Sequence, residues 1–386
     1  MGAFTSTRGA DHQRPGASAP PGPSPDPGSP AAIALRVARW DHDGPQGPVT
    51  LELYPTLSCN LDCQFCDTTD RRRPPVGELS DARLLALVDE AAEMGVQRAF
   101  VLGGGEPLAR RDLAPALLAR IKARGMVGLL TTNGTLLGPA LARQLVDDGW
   151  DEVHFSVDAA DADTHDRLRG KVGAFRQTVR NACRLGAWSR AAGGRTRLAL
   201  HTVITNQNLH SLTGLIDLAV ALGAQRVDFD ALIAYTDEQR ALALSPAQHQ
   251  ALPALAAAAL AHAEAAGIAT TLHHLCQPGA ADRGQTQLPI PQGAGLRGAP
   301  CLKPWHHIVV QADGRVSPCC VLAGSGGSVA AQPLWQVWTG DPFLEGARAA
   351  MRAQAPLPRC RECSWNILGH EAAIRDALPP EGAPWA

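Results

Sequence analysis

The 386-residue sequence predicts an α/β fold, a parallel sheet of alternating strands and helices followed by a smaller cysteine-rich unit. Between residues 49 and 270, six strand-like apolar runs alternate with six helix-like segments, which implies parallel strands joined by right-handed crossovers. Beyond residue 272 the sequence changes to loops, short strands and closely spaced cysteines. The alternation is typical of a doubly wound sheet or a partial (β/α)6 barrel, and both collect ligands at the C-terminal ends of their strands.

The predicted strands are short runs rich in apolar and β-branched residues, at 49–55, 98–102, 127–132, 152–157, 198–204 and 226–229. The first helix of the alternation is predicted to begin after the capping residue Ser80. Apolar residues then recur at helical spacing, at Leu84, Leu87, Val88 and Ala91. The other helices are expected at residues 113–123, 139–148, 175–189, 209–222 and 248–265.

The composition makes several classes of partner unexpected. The net charge is −2 and no block of Lys or Arg stands out, so neither nucleic acid nor an anionic membrane surface is an expected partner. No run of about 18 apolar residues is present, so no transmembrane helix is predicted. The first 32 residues lack the apolar core of a secretory signal, which favours a cytoplasmic location where the 10 cysteines stay reduced.

Composition shifts along the chain predict its organisation. A Pro/Gly-rich tail is expected to be disordered, and the folded part is expected to begin with an alternating, strand-like run at residues 33–37. The predicted units are the tail (1–33), a partial barrel (34–272), a connector (273–300), a cysteine-rich domain (301–370) and a C-terminal tail (371–386). The cysteine-rich domain contains a hairpin, with strands at 307–311 and 315–317 around the turn 312–314.

Three cysteines follow the first predicted strand at C-x3-C-x2-C spacing, at Cys59, Cys63 and Cys66. Three thiolates on one loop can ligate three irons of a cuboidal cluster and leave the fourth iron open for another ligand. A structural zinc ion has four protein ligands, usually supplied by paired C-x2-C units, so a zinc site is the less favoured alternative. Incidental cysteines are the other alternative at this point.

Polar or glycine-rich motifs follow the next strands at the same edge of the sheet. Gly104 and Gly105 would let the polar head of a ligand approach the backbone closely, and Glu106 could accept from a ligand ammonium. A Thr-Asn-Gly motif ends the third strand, and Ser156 and Asp158 end the fourth, where they could hydrogen-bond a ribose. Their coincidence at one edge predicts a single ligand site.

The order of these motifs closely resembles that of the radical S-adenosylmethionine (SAM) superfamily, over roughly residues 48 to 270. The resemblance implies a partial (β/α)6 TIM-like barrel in which Cys59, Cys63 and Cys66 hold a [4Fe–4S] cluster. The open iron would bind SAM, whose reductive cleavage gives a 5′-deoxyadenosyl radical that abstracts a hydrogen atom from the substrate. A flavodoxin- or ferredoxin-type protein is the implied electron donor.

The resemblance also implies which residues contact SAM. Those implied at its amino group are Gly104, Gly105 and Glu106. Phe65, before the last cysteine of the loop, is expected near the adenine. Ser156 and Asp158 match the ribose-side motif, and Arg169 matches an arginine that reaches the SAM carboxylate.

A second set of cysteines follows the connector, at Cys301, Cys319, Cys360 and Cys363. Their spacing resembles the auxiliary-cluster domain called SPASM, but no cysteine follows Cys363, so the shorter twitch form fits better. The resemblance implies one auxiliary [4Fe–4S] cluster with four cysteine ligands, and therefore two clusters in the chain. A zinc site with the same four thiolates is the alternative.

The leading prediction is a radical SAM oxidoreductase that oxidises a sugar- or cyclitol-like intermediate and passes an electron to the auxiliary cluster. A SPASM-type maturase of a ribosomal peptide is the alternative, and a zinc- or cluster-stabilised binding protein without activity is the remote one. The sequence does not identify the base; Cys320 and Cys276, the latter expected at the mouth of the active site, are weak catalytic candidates. Cys183 shares a helical face with Phe175 and Val179 and is expected in the core.

Overall fold

The computed structural model of the protein describes residue 26 and residues 28–66, 77–234, 236–276, 300–322, 324, 326–363 and 365–379. Most of the predicted N-terminal tail, most of the connector and the end of the chain therefore lie outside the described residues. The strands are β1 (Thr50–Leu53), β2 (Arg98–Val101), β3 (Val127–Thr132), β4 (Glu152–Ser156), β5 (Arg197–Ile204), β6 (Arg226–Ala231), β7 (Ala269–Thr270), β8 (His307–Val310) and β9 (Val316–Ser317). All six strands predicted before residue 270 are present.

The described strands form one sheet of nine, in the order β7-β6-β5-β4-β3-β2-β1-β8-β9. Every neighbouring pair is parallel except β8 and β9. Because the strand order does not reverse between β1 and β7, right-handed crossovers place their helices on one side of the sheet, as in a barrel. The two edges, β7 and β9, do not pair with each other in the described part, so the barrel is partial.

The helices are α1 (Pro30–Asp43), α2 (Asp81–Glu93), α3 (Leu113–Ala123), α4 (Pro139–Asp147), α5 (Ala162–Arg169), α6 (Ala174–Ala191), α7 (Leu212–Leu222), α8 (Asp237–Arg240), α9 (Pro246–Ala266), α10 (Lys303–His306), α11 (Leu334–Gly340), α12 (Pro342–Arg352) and α13 (Trp365–Asp376). As predicted, Ser80 caps α2, and its side chain accepts from the Arg83 amide. None of the described helices is long and apolar enough to cross a membrane.

The strand predicted at residues 33–37 is wrong, because this segment belongs to α1. Ser29 caps the helix, and Pro30 occupies its first turn. Ile33, Val37 and Trp40 are buried, whereas Leu35 is 60% exposed. The apolar alternation that favoured a strand is thus one stripe of a helix plus one exposed leucine.

One predicted boundary falls inside a helix, and one prediction about local burial fails. The predicted C-terminal tail begins inside α13, where Glu371 and Ile374 are buried. Cys183 is exposed, because the buried face of α6 contains Thr178, Ala182 and Leu185 instead.

The predicted hairpin is present, but it continues the main sheet. β8 and β9 pair in antiparallel fashion, and Gly314 in their turn has a φ of +85°. β8 also pairs in parallel with β1, the strand that leads into the three-cysteine loop. The cysteine-rich segment is therefore joined to the barrel by backbone hydrogen bonds.

The two faces of the sheet differ in chemistry. On the outer face, apolar side chains such as Leu53, Phe155 and Leu200 are buried under the helices. The inner face carries polar residues, many of them partly exposed, among them Glu52, Thr131, Glu152, His154, Ser156, His201 and Asp228. This polar inner face leads up to the edge where the predicted ligand motifs lie.

Arg348 connects α12 to the rest of the fold and is fully buried. Its guanidinium carbon lies 4.5 Å from the ring centroids of both Trp40 and Trp338. The same group donates hydrogen bonds to the carbonyl oxygens of Pro304 at 3.0 Å and Trp338 at 2.9 Å. These contacts join α1, α10, α11 and α12.

We expect Arg348→Met to lower the free energy of unfolding by about 3 kcal/mol, because two buried carbonyls and two indole rings lose a charged partner. Urea unfolding followed by circular dichroism measures this. The control is Arg352→Met on the same helix, where a half-buried guanidinium lies 5.6 Å from the Trp305 ring centroid. That change is expected to cost about 1 kcal/mol or less, and equal losses in both variants would contradict the prediction.

Candidate active site

The predicted site residues Asp158 and Arg169 form a buried ion pair. Arg169 Nε donates to Asp158 Oδ2 at 2.5 Å, and the side chains are 9% and 0% exposed. Burial alone would lower the pKa of Arg169, but the charge of Asp158 and the Cys63 thiol raise it above its ordinary value. Asp158 Oδ1 also accepts from the Val203 amide at 3.0 Å. The carboxylate expected at a ribose therefore also holds the guanidinium in place.

Arg169 in turn contacts the three-cysteine loop. Its Nη1 lies 3.7 Å from Cys63 Sγ, and its guanidinium carbon lies 5.2 Å from the Phe65 ring centroid. Phe65 also packs against a small apolar cluster that includes Leu232 and Leu242. Four residues singled out by the sequence, Cys63, Phe65, Asp158 and Arg169, are thus brought together as predicted.

The loop is fixed to the C-terminal end of α5. The amides of Asp62 and Gln64 donate to the carbonyls of Arg169 at 3.0 Å and Leu168 at 2.9 Å, which lack helical partners. Gly170 ends α5 with φ +66°, and a Cβ at this position would stand 2.0 Å from the Asp62 carbonyl oxygen. Only glycine fits both requirements.

The other two cysteines lie between further anchors. Next to Cys59, Asn60 donates to Thr135 Oγ1 at 2.8 Å and accepts from Asn133 at 3.0 Å. The Cys66 carbonyl accepts from Gln239 Nε2 at 3.0 Å, so α8 holds the end of the loop. The Thr-Asn-Gly motif therefore acts here through contacts with the cysteine loop.

The backbone at Gly104, Gly105 and Glu106 packs against the segment that leads into the cysteine loop, and the predicted contact of these residues with a ligand stays a prediction. The amides of Gly105 and Glu106 donate to the carbonyls of Thr56 at 2.7 Å and Ser58 at 2.9 Å. A Cβ at Gly104 or Gly105 would stand 2.7 Å from the Thr56 oxygen or 2.0 Å from the Ser58 oxygen. In this structure the glycines are required by the close approach of the loop backbone itself.

Glu106 is buried, and its carboxylate accepts three internal hydrogen bonds. Its Oε1 accepts from Thr132 Oγ1 at 2.6 Å and the Leu108 amide at 3.1 Å, and its Oε2 accepts from the Asn133 amide at 2.7 Å. Burial raises the pKa of Glu106 despite these donors. A carboxylate offers about four acceptor positions, so one remains for a ligand ammonium.

Ser156 ends β4 on the inner face of the sheet and is buried. The register places it beside His201 of β5, and His201 beside Asp228 of β6. His201 Nε2 lies 2.6 Å from Asp230 Oδ2, and His154 Nε2 lies 2.6 Å from Glu152 Oε1. Sequence analysis missed both His–carboxylate pairs. Strand alternation places Glu152 and His154 on one face of β4, and the pairing of β5 with β6 brings His201 near Asp230.

The thiols of the second set of predicted cysteines lie close enough for their charges to act on one another. The charges of neighbouring thiols couple Cys301 with Cys319 and Cys363, and Cys363 with Cys360. Burial is the largest cause that raises the pKa of each, to about 11 for Cys360, to about 12 for Cys363 and well above the usual range for Cys301. Burial likewise raises the pKa of Cys319.

A buried charged network adjoins these thiols and was not predicted. His307 Nε2 lies 3.0 Å from Glu52 Oε2 on β1, and His306 Nε2 lies 3.1 Å from Glu371 Oε1 on α13. Glu371 Oε2 accepts from the Leu302 amide at 2.8 Å and lies 3.8 Å from Cys301 Sγ. His306, the last residue of α10, and His307, the first residue of β8, therefore contact different carboxylates.

The two weak catalytic candidates lie in different surroundings. Cys320 lies next to Cys319, and burial of its thiol together with the Glu52 charge raises its pKa to about 12. Cys276 Sγ lies 3.3 Å from the Leu272 carbonyl, with Glu264 of α9 as its charged neighbour. Glu264 lies near the C-terminal end of α9. The expected position of Cys276 at the active-site mouth stays a prediction.

Comparison with known proteins agrees with this geometry. Residues 53–219 match the Radical SAM superfamily, and residues 301–364 match SPASM, an iron–sulfur cluster-binding domain. The PqqA peptide cyclase of Methylocella silvestris is 30% identical over 329 residues, 82% of this chain and 80% of the relative. This chain belongs to the radical SAM superfamily.

Two further similarities span most of this radical SAM protein. The pre-heme d1 synthase of Dinoroseobacter shibae is 31% identical over 353 residues, 86% of this chain and 83% of the relative. SuiB of Streptococcus suis bound to S-adenosylmethionine superposes with a TM-score of 0.63 at 18% identity, covering 90% of this chain and 80% of that one. The likeness to SuiB shows a shared fold. The predicted radical SAM enzyme with [4Fe–4S] clusters and SAM as cofactors is confirmed at this level.

The donor chemistry of this radical SAM enzyme fits iron–sulfur clusters. Burial raises the pKa of Cys63 to about 11, against the opposing charge of Arg169. Buried thiols that disfavour each other's ionisation lose their protons when iron supplies positive charge. In the described ranges, no three His, Cys, Asp or Glu side chains converge as the ligands of one metal ion would.

Replacement of Gly170 tests the contact between α5 and the cysteine loop. We expect Gly170→Ala to lower the free energy of unfolding by about 2 kcal/mol or more, because both the positive φ and the Asp62 carbonyl oppose a Cβ. Iron binding after anaerobic reconstitution is expected to fall as well. Gly173→Ala is the matched control, with φ +82° and open space around its Cβ. It should cost about 1 kcal/mol and leave iron binding intact, and iron loss in both variants would argue against the contact.

Removing the charge of the buried Asp158 is expected to destabilise the protein more than removing the charge of a partly exposed aspartate. We expect Asp158→Asn to lower the free energy of unfolding by about 3–5 kcal/mol, because the guanidinium of Arg169 stays buried without its carboxylate. Asp89→Asn, which weakens half-exposed ion pairs with Arg120 and Arg124, should cost about 1 kcal/mol or less. Urea unfolding of both variants checks this. A loss at Asp158 no larger than at Asp89 would show that the pair is not a structural constraint.

Proposed function

We propose that this chain is a peptide-modifying radical SAM enzyme whose Cys59, Cys63 and Cys66 bind the [4Fe–4S] cluster that carries SAM. The peptide substrate is inferred from the similarity to a PqqA peptide cyclase, which extends over 82% of this chain. The buried contact of Arg169 with Cys63 and Phe65 supports the ligand set.

When bound, the cluster and SAM supply a 5′-deoxyadenosyl radical that removes a hydrogen atom from the substrate. The protein residues hold SAM in position. Arg169, fixed by Asp158, offers a positive charge to the SAM carboxylate beside Cys63. Glu106 keeps one acceptor position for the SAM ammonium, and Phe65 offers an apolar ring to the adenine.

The remaining polar positions complete the proposed SAM site. Ser156 and Asp158 border the ribose, the former from the end of β4 and the latter from the loop that follows. Gly104 and Gly105 keep the neighbouring backbone close to the cysteine loop. These assignments combine the family resemblance with the positions that the residues occupy in the fold.

Cys301, Cys319, Cys360 and Cys363 are the proposed ligands of an auxiliary [4Fe–4S] cluster. A cluster ligated fully by protein suits electron transfer, since it leaves no iron open for substrate. Glu52 on the inner face lies 3.0 Å from His307, and after burial its charge is one of the causes that raise the pKa of Cys319. An oxidised cluster here would accept the electron that a substrate radical must lose. Cys320 remains a weaker candidate for contact with substrate.

A heme precursor is the second candidate substrate, favoured by the pre-heme d1 synthase that matches 86% of the chain. The sugar or cyclitol that the sequence favoured is the third, and none of the relatives named above is named for such a substrate. A flavodoxin- or ferredoxin-type electron donor and a cytoplasmic location belong to the same proposal. The partly exposed inner face of the sheet is compatible with each of these polar substrates.

The experiment that separates these substrates uses reconstituted enzyme, SAM and dithionite with three panels of substrate. The panels are synthetic peptides from short reading frames beside the gene, heme precursors, and sugars or cyclitols. A peptide product that has lost two hydrogens, with deuterium transferred from labelled peptide to 5′-deoxyadenosine, supports the proposal. Deuterium transfer from a labelled heme precursor, sugar or cyclitol, and from no peptide, would rule out the peptide substrate but not the radical chemistry.

The proposed ligand sets predict the iron content. Reconstituted wild-type enzyme should bind about eight iron atoms per chain, as two [4Fe–4S] clusters require. A Cys59/Cys63/Cys66→Ala variant is expected to lose about half of this iron and all SAM cleavage. A Cys301/Cys319/Cys360/Cys363→Ala variant should lose the other half and still cleave SAM without substrate. Zinc in place of the second cluster would rule out the auxiliary-cluster assignment.

A further inference from the structure

The His201–Asp230 pair has the geometry of an oriented base. His201 Nε2 lies 2.6 Å from Asp230 Oδ2, so the carboxylate accepts from this nitrogen and leaves Nδ1 as the basic atom of neutral imidazole. Within the described residues no protein group hydrogen-bonds this Nδ1. The side chains are 29% and 36% exposed on the inner face, so a substrate can reach them.

The sheet places this pair beside the proposed SAM site. The register sets His201 level with Ser156 at the end of β4. Two residues farther along β5, the Val203 amide donates to Asp158, which binds Arg169 beside Cys63. His201 therefore lies two residues, or about 7 Å, from the level of Asp158 in the direction of the N-terminal end of β5.

A second His–carboxylate pair on the same face, His154 with Glu152, lies farther from the proposed SAM site. His154 and Glu152 are also joined at 2.6 Å, but their side chains are only 13% and 17% exposed. His154 precedes Ser156 by two residues on β4, so it lies about 7 Å deeper than His201. The deeper pair is a matched control for the upper one.

The charges around His201 favour a base near neutral pH. Burial lowers its pKa, but the hydrogen bond and charge of Asp230 outweigh this and raise it above 6.5, with smaller contributions from Asp228 and Asp158. Asp228 is itself paired with Arg226, and Asp158 with Arg169. These are the charged groups that face His201 from β6 and from the end of β4.

We propose that His201, oriented by Asp230, accepts at Nδ1 the proton that the substrate releases during its oxidation. This inference rests on the proposed function but not on the peptide as substrate. A net two-electron oxidation removes one hydrogen atom, one electron and one further proton as a new double bond or cross-link forms. The hydrogen atom goes to the 5′-deoxyadenosyl radical, the electron to an oxidised iron–sulfur cluster, and the proton to His201.

The first test maps histidine reactivity in reconstituted enzyme with diethyl pyrocarbonate and peptide mass spectrometry. His201 is expected to react, and the pH at which its reactivity is half-maximal should lie above 6.5, the ordinary pKa of histidine. This midpoint pH should fall in Asp230→Asn. His262, paired with Asp217 at 2.7 Å on the outer helices, is the exposed control whose profile stays unchanged in that variant. An unreactive His201, or a midpoint that Asp230→Asn does not move, overturns the proposal.

The second test separates proton transfer from radical formation. His201→Gln should retain SAM cleavage by dithionite without substrate, within about twofold of wild type, because no substrate proton is involved. With the substrate found in the panels, product formation should fall about a hundredfold in kcat while 5′-deoxyadenosine still forms. The acid limb of kcat/KM should move to lower pH in Asp230→Asn. His154→Gln should leave both rates within about threefold of wild type.

The outcomes distinguish this inference from the proposed function. Loss of substrate-free SAM cleavage in His201→Gln would place His201 in the cofactor site and overturn the base. Absence of SAM cleavage in wild-type enzyme would instead overturn the proposed function, while the reactivity map still decides whether His201 is an accessible, Asp230-oriented base. Equal losses in His201→Gln and His154→Gln would show a structural role only.

Discussion

The buried ion pair of Asp158 and Arg169 is the interaction on which the site depends. A guanidinium removed from water is costly, and here one carboxylate with no exposure offsets that cost. The pair joins the loop after β4 to the end of α5, and Arg169 then contacts Cys63 and Phe65. The position of the cysteine loop is therefore set by the folding of the middle of the barrel. A loop of this kind gains little rigidity from its own sequence.

The α5 terminus adds a second constraint of a different nature. Its last carbonyls accept from the loop amides, and Gly170 allows the two backbones to approach. The Arg169 charge acts on Cys63, and the backbone hydrogen bonds act on its two neighbours, Asp62 and Gln64. This explains how a short loop can hold the thiol of Cys63 in a buried position, where burial raises its pKa. Iron binding then contributes to the stability of a loop that the protein has already placed.

Sequence predicted much of this site because its motifs follow strands whose C-terminal ends must meet at one edge. It predicted neither the pairing of Asp158 with Arg169 nor the contact of Gly105 with Ser58, since both depend on distances that spacing does not encode. The helix at residues 30–43 was missed because Leu35 completes an apolar alternation although it faces solvent. His201 and Asp230 were missed for a simpler reason. A histidine and an aspartate 29 positions apart attract no notice until the pairing of β5 with β6 places them diagonally across from each other on one face of the sheet.

The pairing of β8 with β1 has consequences for the second set of thiols. β1 leads into the first cysteine loop, and β8 begins four residues after α10 starts at Lys303, close behind Cys301. The same two strands are joined on the inner face by Glu52 and His307, at 3.0 Å. Any shift of the cysteine-rich segment relative to the barrel would therefore break strand hydrogen bonds and separate a buried charged pair. Because a paired sheet is far stiffer than a linker, the chain that leads into Cys59 and the chain that follows Cys301 are held at a fixed distance.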